Sequence, residues 1–193
     1  MTRSFVALVL DDPTRAAVSA EIERLRSLSP AVAWVPAANL HVTLRFLGER
    51  GEAELAAATE ALGAVGAATA PFAVQLFGIG AFPGMAQPRI LWVGVADGAL
   101  DLRALQSRVE GALEQRGFAR EGQPWHPHVT IGRVFDARRW RRQTSPALQE
   151  AIARAARTDF GALAVARVAL MRSDLSPAGA RYRELHSVAL GAA

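Results

Sequence analysis

The chain has 193 residues, 51% of them hydrophobic and 21% charged, a balance that excludes a disordered segment and allows one sizeable core. It contains no cysteine, which excludes disulfides, thiolate metal sites and a thiol nucleophile, and fits the reducing cytoplasm. The net charge of +4 is carried by arginine without lysine and is uneven: residues 1–119 hold 10 Arg against 12 acidic residues, a net of −2, and residues 120–193 hold 12 against 6, a net of +6.

Phe5 to Leu10 alternates and predicts a strand; it stops at Asp11-Asp12, too short for a signal peptide or a membrane span. Thr14 to Leu28 has helical spacing and ends at Ser29-Pro30, a short extended piece follows at Val32 to Pro36, and Leu40 to Leu47 predicts a strand closed by Gly48. Glu52 to Ala68 predicts a helix, Phe72 to Phe77 a strand, Gly78 to Pro88 a loop, and Arg89 to Val95 another strand. Leu100 to Arg116 is amphipathic and ends at Gly117, a C-terminal cap. After a break at Gly122 to Pro127, His128 to Val134 predicts a strand and Pro146 to Arg157 a helix. Phe160 to Met171 and Tyr182 to Leu190 read as strands joined by a Pro/Gly loop. The order strand, helix, HVTL, helix in the first half recurs as strand, helix, HVTI, helix in the second, which suggests two similar lobes facing each other within one domain, residues 1–193.

The chain has four histidines and eight threonines, and two of the histidines, His41 and His128, are followed two residues later by Thr43 and Thr130. By chance the doubled motif would occur on the order of 1% of the time. Residues two apart on a strand share a face, so each motif presents an imidazole beside a hydroxyl, while Val42, Leu44 and Phe46, and Val129 and Ile131, face the core. Two imidazoles across one ligand suit in-line displacement at phosphorus. An unperturbed pKa of about 6.5 lets one take a proton from water and the other give one to the leaving oxygen. The threonine hydroxyls can donate to the non-bridging oxygens as charge shifts there.

His126 reads as a structural or supporting residue because Pro127 disturbs the alternation, and His186 lacks a threonine partner. A zinc site built from His41, His126 and His128 would lack a nearby carboxylate, so no metal and no cofactor is expected. Arg45 shares the parity of His41 and could contact ligand; Arg133 has the parity of the buried Val129 and Ile131, but together with Arg138, Arg139, Arg141 and Arg142 it could hold a nucleic-acid backbone. The alternative for that cluster is a solvated arginine surface. Trp34, Phe82, Trp125 and Tyr182 lie in or beside loops where they could stack on a base, although aromatic residues are more often core.

FVALVL followed by Asp-Asp-Pro, NLHVTLRFLGE around His41, RILWVGV, PWHPHVTIGR around His128 and SDLSPAGARYREL together resemble the 2H phosphoesterases, specifically the RNA 2',3'-cyclic phosphodiesterases, also called the bacterial and archaeal 2'-5' RNA ligase family. The resemblance spans nearly the whole chain. It implies an α+β fold of two pseudo-symmetric lobes, each a mainly antiparallel sheet with helices outside, and an active-site cleft between them. It further implies hydrolysis of RNA 2',3'-cyclic phosphate ends or cyclic nucleotides to 2'-phosphomonoesters; the cysteine-free sequence without an apolar span adds the expectation of a cytoplasmic protein with no membrane or protein partner. On this resemblance His41 is the proton donor to the 3' oxygen, His128 the base that activates water, and Thr43 and Thr130 the phosphate ligands; Arg45, Phe82, Arg133 and Tyr182 are candidate RNA contacts by their place along the chain and not by the resemblance. Two alternatives stay open: an RNA-end-binding module with little turnover, and the reverse reaction, 2'-5' ligation.

Overall fold

Alternating apolar runs form the strands and runs of helical period form the helices of this chain, so the two interleave from end to end. The computed structural model describes residues 1–176 and 179–191. Strand β1 (Thr2–Val9) leads to helix α1 (Asp12–Arg26), β2 (Val32–Trp34), a 3-10 turn (Ala37–Asn39) and β3 (His41–Arg50). Helix α2 (Glu52–Ala67), β4 (Phe72–Phe82), β5 (Ile90–Val95), α3 (Ala99–Glu114) and β6 (His128–Val134) follow. The chain finishes with α4 (Ala137–Gln143), α5 (Pro146–Ala155), β7 (Asp159–Val165), β8 (Arg167–Ser176) and β9 (Gly179–Ala189). Side-chain caps set the helix starts: Asp11 accepts from the Thr14 N–H at α1, and Ser145 from the Leu148 N–H at α5, each just before a proline suited to the first turn.

The strands pair antiparallel in the order β7-β4-β5-β6-β3-β1-β8-β9, with β2 beside β6. At the centre, β3 and β6 are joined through one register pair, Val42 with Val129. That seam divides the sheet into two similar groups of four, β3-β1-β8-β9 and β6-β5-β4-β7. Helices α2 and α3 pack on the first group, and α1 and α5 on the second. The α+β class and the paired lobes match the expectation, but the lobes do not coincide with the two halves of the sequence. The last strands, β8 and β9, lie beside the first, and α1 crosses from β1 to pack against β7.

The two faces of the sheet have different fates. Val6, Leu8, Val42, Leu44, Val129 and Ile131 join the helices in the main core, whereas Phe5, Ala7, Ala169 and Met171 form a small cluster on the opposite face, with Tyr182 packed against it. Alternation along β1 produces this split, and burial on both faces explains its near-continuous apolar sequence.

Several predicted boundaries move, each because pairing overrides local composition. The Gly-rich stretch after Phe77 continues as strand to Phe82, since Ile79 to Phe82 pair with Ile90 to Val93. The run from Phe160 to Met171 is two strands, β7 and β8, which go to opposite edges of the sheet's central strands. The expected Pro/Gly loop is mostly strand, Arg172 to Ser176 pairing with Gly179 to Arg183; Pro177 and Ala178 of that loop lie outside the described residues. Helix α4 is absent from the sequence reading because it has a single apolar anchor, Trp140. Strand β3 continues past Gly48, whose positive φ of 77° accompanies a register shift opposite Ser4 and Phe5.

Candidate active site

His41 and His128 open β3 and β6, and the antiparallel pairing at Val42 and Val129 relates the two motifs by a local two-fold. Both histidines and both threonines line one cleft of about 970 Å³ on the face opposite the main core. The imidazoles are held identically. Nδ1 of His41 donates to the Asn39 carbonyl at 2.7 Å, and Nδ1 of His128 donates to the His126 carbonyl at 2.7 Å. A carbonyl can only accept, so Nδ1 carries the hydrogen and Nε2 of the neutral ring is left as an acceptor. At His41 that nitrogen lies 3.0 Å from the Thr43 hydroxyl, which therefore donates to it.

Each imidazole meets an aromatic ring edge-on: Tyr182 stands 5.2 Å from His41 at 90°, and Phe82 stands 5.1 Å from His128 at 84°. Phe5 adds a second ring beside His41 at 4.9 Å. Burial among these groups disfavours the charged imidazoles and lowers both pKa values from 6.5. Positive charge adds to the effect, from His128 and Arg133 at His41, and from His126 and Arg133 at His128, against the opposing hydrogen bonds at Nδ1.

Strict alternation fails once in each motif, at the same place. β3 is bulged opposite Val6 and Ala7, and β6 is bulged opposite Leu91 and Trp92, so Leu44 and Ile131 are the extra residues. The bulge reverses the parity that follows. Phe46, expected in the core, is 54% exposed on the cleft side, and Leu47, 3% exposed, takes its core position. Arg133, expected to follow Val129 and Ile131 inward, is exposed and lines the cleft. Arg45 also borders the cleft, but its guanidinium is held by Glu110 at 2.9 Å and Glu121 at 3.1 Å. It is a brace between β3, α3 and the following loop. The matching position in the second motif is Gly132, where a Cβ would come within 2.6 Å of Val32 and 3.2 Å of Trp34.

Among the other expected residues, Phe82, Trp125, Tyr182 and His126 line the cleft, whereas Trp34 packs on the main core and His186 sits exposed on β9. Trp125 is engaged with the other motif: its indole N–H donates to the Thr43 carbonyl at 2.9 Å, tying the loop before His128 to β3. Asn39, not singled out from the sequence, holds His41 through its carbonyl and β9 through an amide hydrogen bond to Ala180 at 2.7 Å. The only sequence signal for it is its place two residues before a motif histidine. The arginines of α4 do not line the cleft. Among the described residues no three His, Asp or Glu side chains gather as a metal ligand set.

Residues 13–177 match the model of a family described as the 2'-5' RNA ligase superfamily. An Aeropyrum pernix protein named RNA 2',3'-cyclic phosphodiesterase is 37% identical over 150 residues, 78% of this chain and 81% of its own. A Thermus thermophilus crystal structure superposes with a TM-score of 0.79 at 29% identity, covering 98% of both chains. A crystal structure of E. coli LigT complexed with 3'-AMP gives 0.73 at 25% identity, again over 98% of both chains.

Proposed function

The chain belongs to the 2'-5' RNA ligase superfamily, and we propose that it hydrolyses RNA 2',3'-cyclic phosphate ends to 2'-phosphomonoesters by metal-independent acid-base catalysis. The observation that carries this reading is the matched pair of imidazoles, each fixed through Nδ1 and each bordering the same cleft. Names of relatives support the substrate class, and 3'-AMP bound to E. coli LigT supports a nucleotide phosphate as the ligand type.

In the proposed reaction Nε2 of His128 takes a proton from water as its oxygen attacks phosphorus, and Nε2–H of His41 gives a proton to the departing 3' oxygen. Water is thereby added across the P–O3' bond, and the two histidines end with protonation states exchanged. Thr43 has a conditional role. While His41 is neutral its hydroxyl donates to Nε2, but a protonated Nε2 cannot accept, so the hydroxyl is released to a phosphate oxygen when the acid is charged. Arg133 supplies a cation at the cleft without an ion pair among the described residues, while the carboxylates of Glu110 and Glu121 are engaged with Arg45. The same proton transfers run backwards would join a cyclic end to a 5'-hydroxyl; bulk water favours hydrolysis.

Acid-base catalysis by this pair predicts a bell-shaped pH profile of kcat/KM. One imidazole must be charged and the other neutral, and both free-enzyme pKa values are lowered from 6.5, so the maximum lies on the acid side of that value. The two limbs belong to the coupled pair. Rates measured from pH 4 to 9 on a cyclic-ended RNA test this; a profile flat between pH 5 and 8 with chemistry rate-limiting speaks against paired histidines, and undetectable turnover favours an end-binding module.

A further inference from the structure

Helix α4 carries four exposed arginines, Arg138, Arg139, Arg141 and Arg142, around one buried anchor, Trp140. Arg138 and Arg142 are one turn apart on the face opposite Trp140, and the other two flank them. Like charges so spaced repel, whereas the arginines of α1 and α3 are engaged: in α3, Arg103 and Arg108 donate to the Trp125 and Ala68 carbonyls. Along α1, Arg15, Arg24 and Arg26 pair with Asp12, Glu21 and Glu23, and Arg50 before α2 pairs with Glu54. In α4 no ion pair forms among the described residues. The nearest acid, Asp136, uses its carboxylate to cap the Arg138 N–H at 2.7 Å, and Arg139 donates to the neutral Gln143 at 2.9 Å.

This uncompensated charge continues from the cleft. Strand β6 runs from His128 to Arg133, which lines the cleft, and Val134, and only Phe135 and Asp136 separate it from α4. Arg89, exposed and without an ion pair among the described residues, lies against the end of β6, its carbonyl accepting from the Val134 N–H at 2.9 Å. A cyclic phosphate is the 3' end of its RNA, so the rest of the strand must leave the cleft in one direction. We propose that α4 is a backbone-phosphate site for the nucleotides upstream of the cyclic end, which makes an oligoribonucleotide the preferred substrate over a cyclic mononucleotide. The proposal rests on the reading of the cleft as a cyclic phosphodiesterase site. Seven helical residues span about 10 Å, roughly three nucleotide steps of a stacked strand, and guanidinium groups match phosphate oxygens in pairs.

The test uses the double variant R138Q/R142Q, whose changes lie on an exposed face and remove repulsion, so its melting temperature should not fall. Each single-strand phosphate contact contributes about 0.7 log unit of affinity per log unit of salt. Between 50 and 200 mM salt, two lost contacts should reduce the salt sensitivity of kcat/KM for a cyclic-ended decaribonucleotide by about sevenfold. The variant should match the wild type on a cyclic mononucleotide. An unchanged salt slope on the decamer, or the same loss on both substrates, overturns the proposal. Fluorescence anisotropy with a decaribonucleotide ending in an ordinary 3'-hydroxyl reads the α4 contacts without turnover. A slope lost there in a protein that hydrolyses neither substrate would retain α4 and refute the catalytic reading. Hydrolysis with an unchanged binding slope would do the reverse.

Discussion

Replacing His41 or His128 by alanine is expected to lower turnover of a cyclic-ended RNA by about 10²- to 10⁴-fold each, the usual worth of a positioned acid or base. The double variant should lose little more than the worse single one, because both groups act in one transition state. The surviving limb of the pH profile identifies the role removed. Loss of the acid, assigned to His41, abolishes the fall in rate at high pH; loss of the base, assigned to His128, abolishes the fall at low pH. Far-UV circular dichroism and cooperative unfolding should persist in both, since neither histidine belongs to the main core cluster. Near-normal turnover in either variant would remove that histidine from the chemistry.

Thr43→Ala and Thr130→Ala should each cost about 2–4 kcal/mol at the transition state, roughly 30- to 1,000-fold in kcat, if the hydroxyls stabilise charge developing on the phosphate oxygens. Serine at either position keeps the donor and should retain most activity. The two alanine variants should differ in one respect. The Thr43 hydroxyl donates to neutral His41, and losing that bond favours the charged imidazole, so the alkaline limb should move upward in Thr43→Ala. No such bond involves Thr130 among the described residues, so its variant should keep the wild-type limbs. Less than a tenfold loss in both alanine variants would reduce the threonines to supporting residues.

Much of this site is legible in the sequence because it depends on short-range geometry. A histidine and a threonine two apart on a strand share a face wherever the strand lies, and both motif strands form where expected. The errors start where a neighbouring strand intervenes. Alternation read from one strand alone carries no sign of the bulges at Leu44 and Ile131, which are fixed by registry with β1 and β5, and these turn Phe46 and Arg133 toward the cleft. Arg45 looks available in the sequence because its partner Glu121 is 76 residues away. The tie from Trp125 to the Thr43 carbonyl spans 82 residues and is likewise invisible along the chain, although Trp125 does line the cleft. Strand β4 reads short for a similar reason: Gly78 and Gly80 weaken local strand propensity, and pairing with β5 restores the strand. Helix α4, with one apolar anchor, has no amphipathic period to read.

In the proposed reaction two histidines open a cyclic phosphate without a metal. Complete digestion of an oligoribonucleotide ending in a 2',3'-cyclic phosphate, in excess EDTA and followed by phosphorus NMR, tests it most directly. Undiminished conversion to the 2'-phosphomonoester is the expected result. Failure of the ring to open in EDTA, with activity restored by zinc or manganese, would mean that a metal and not the histidine pair drives the reaction.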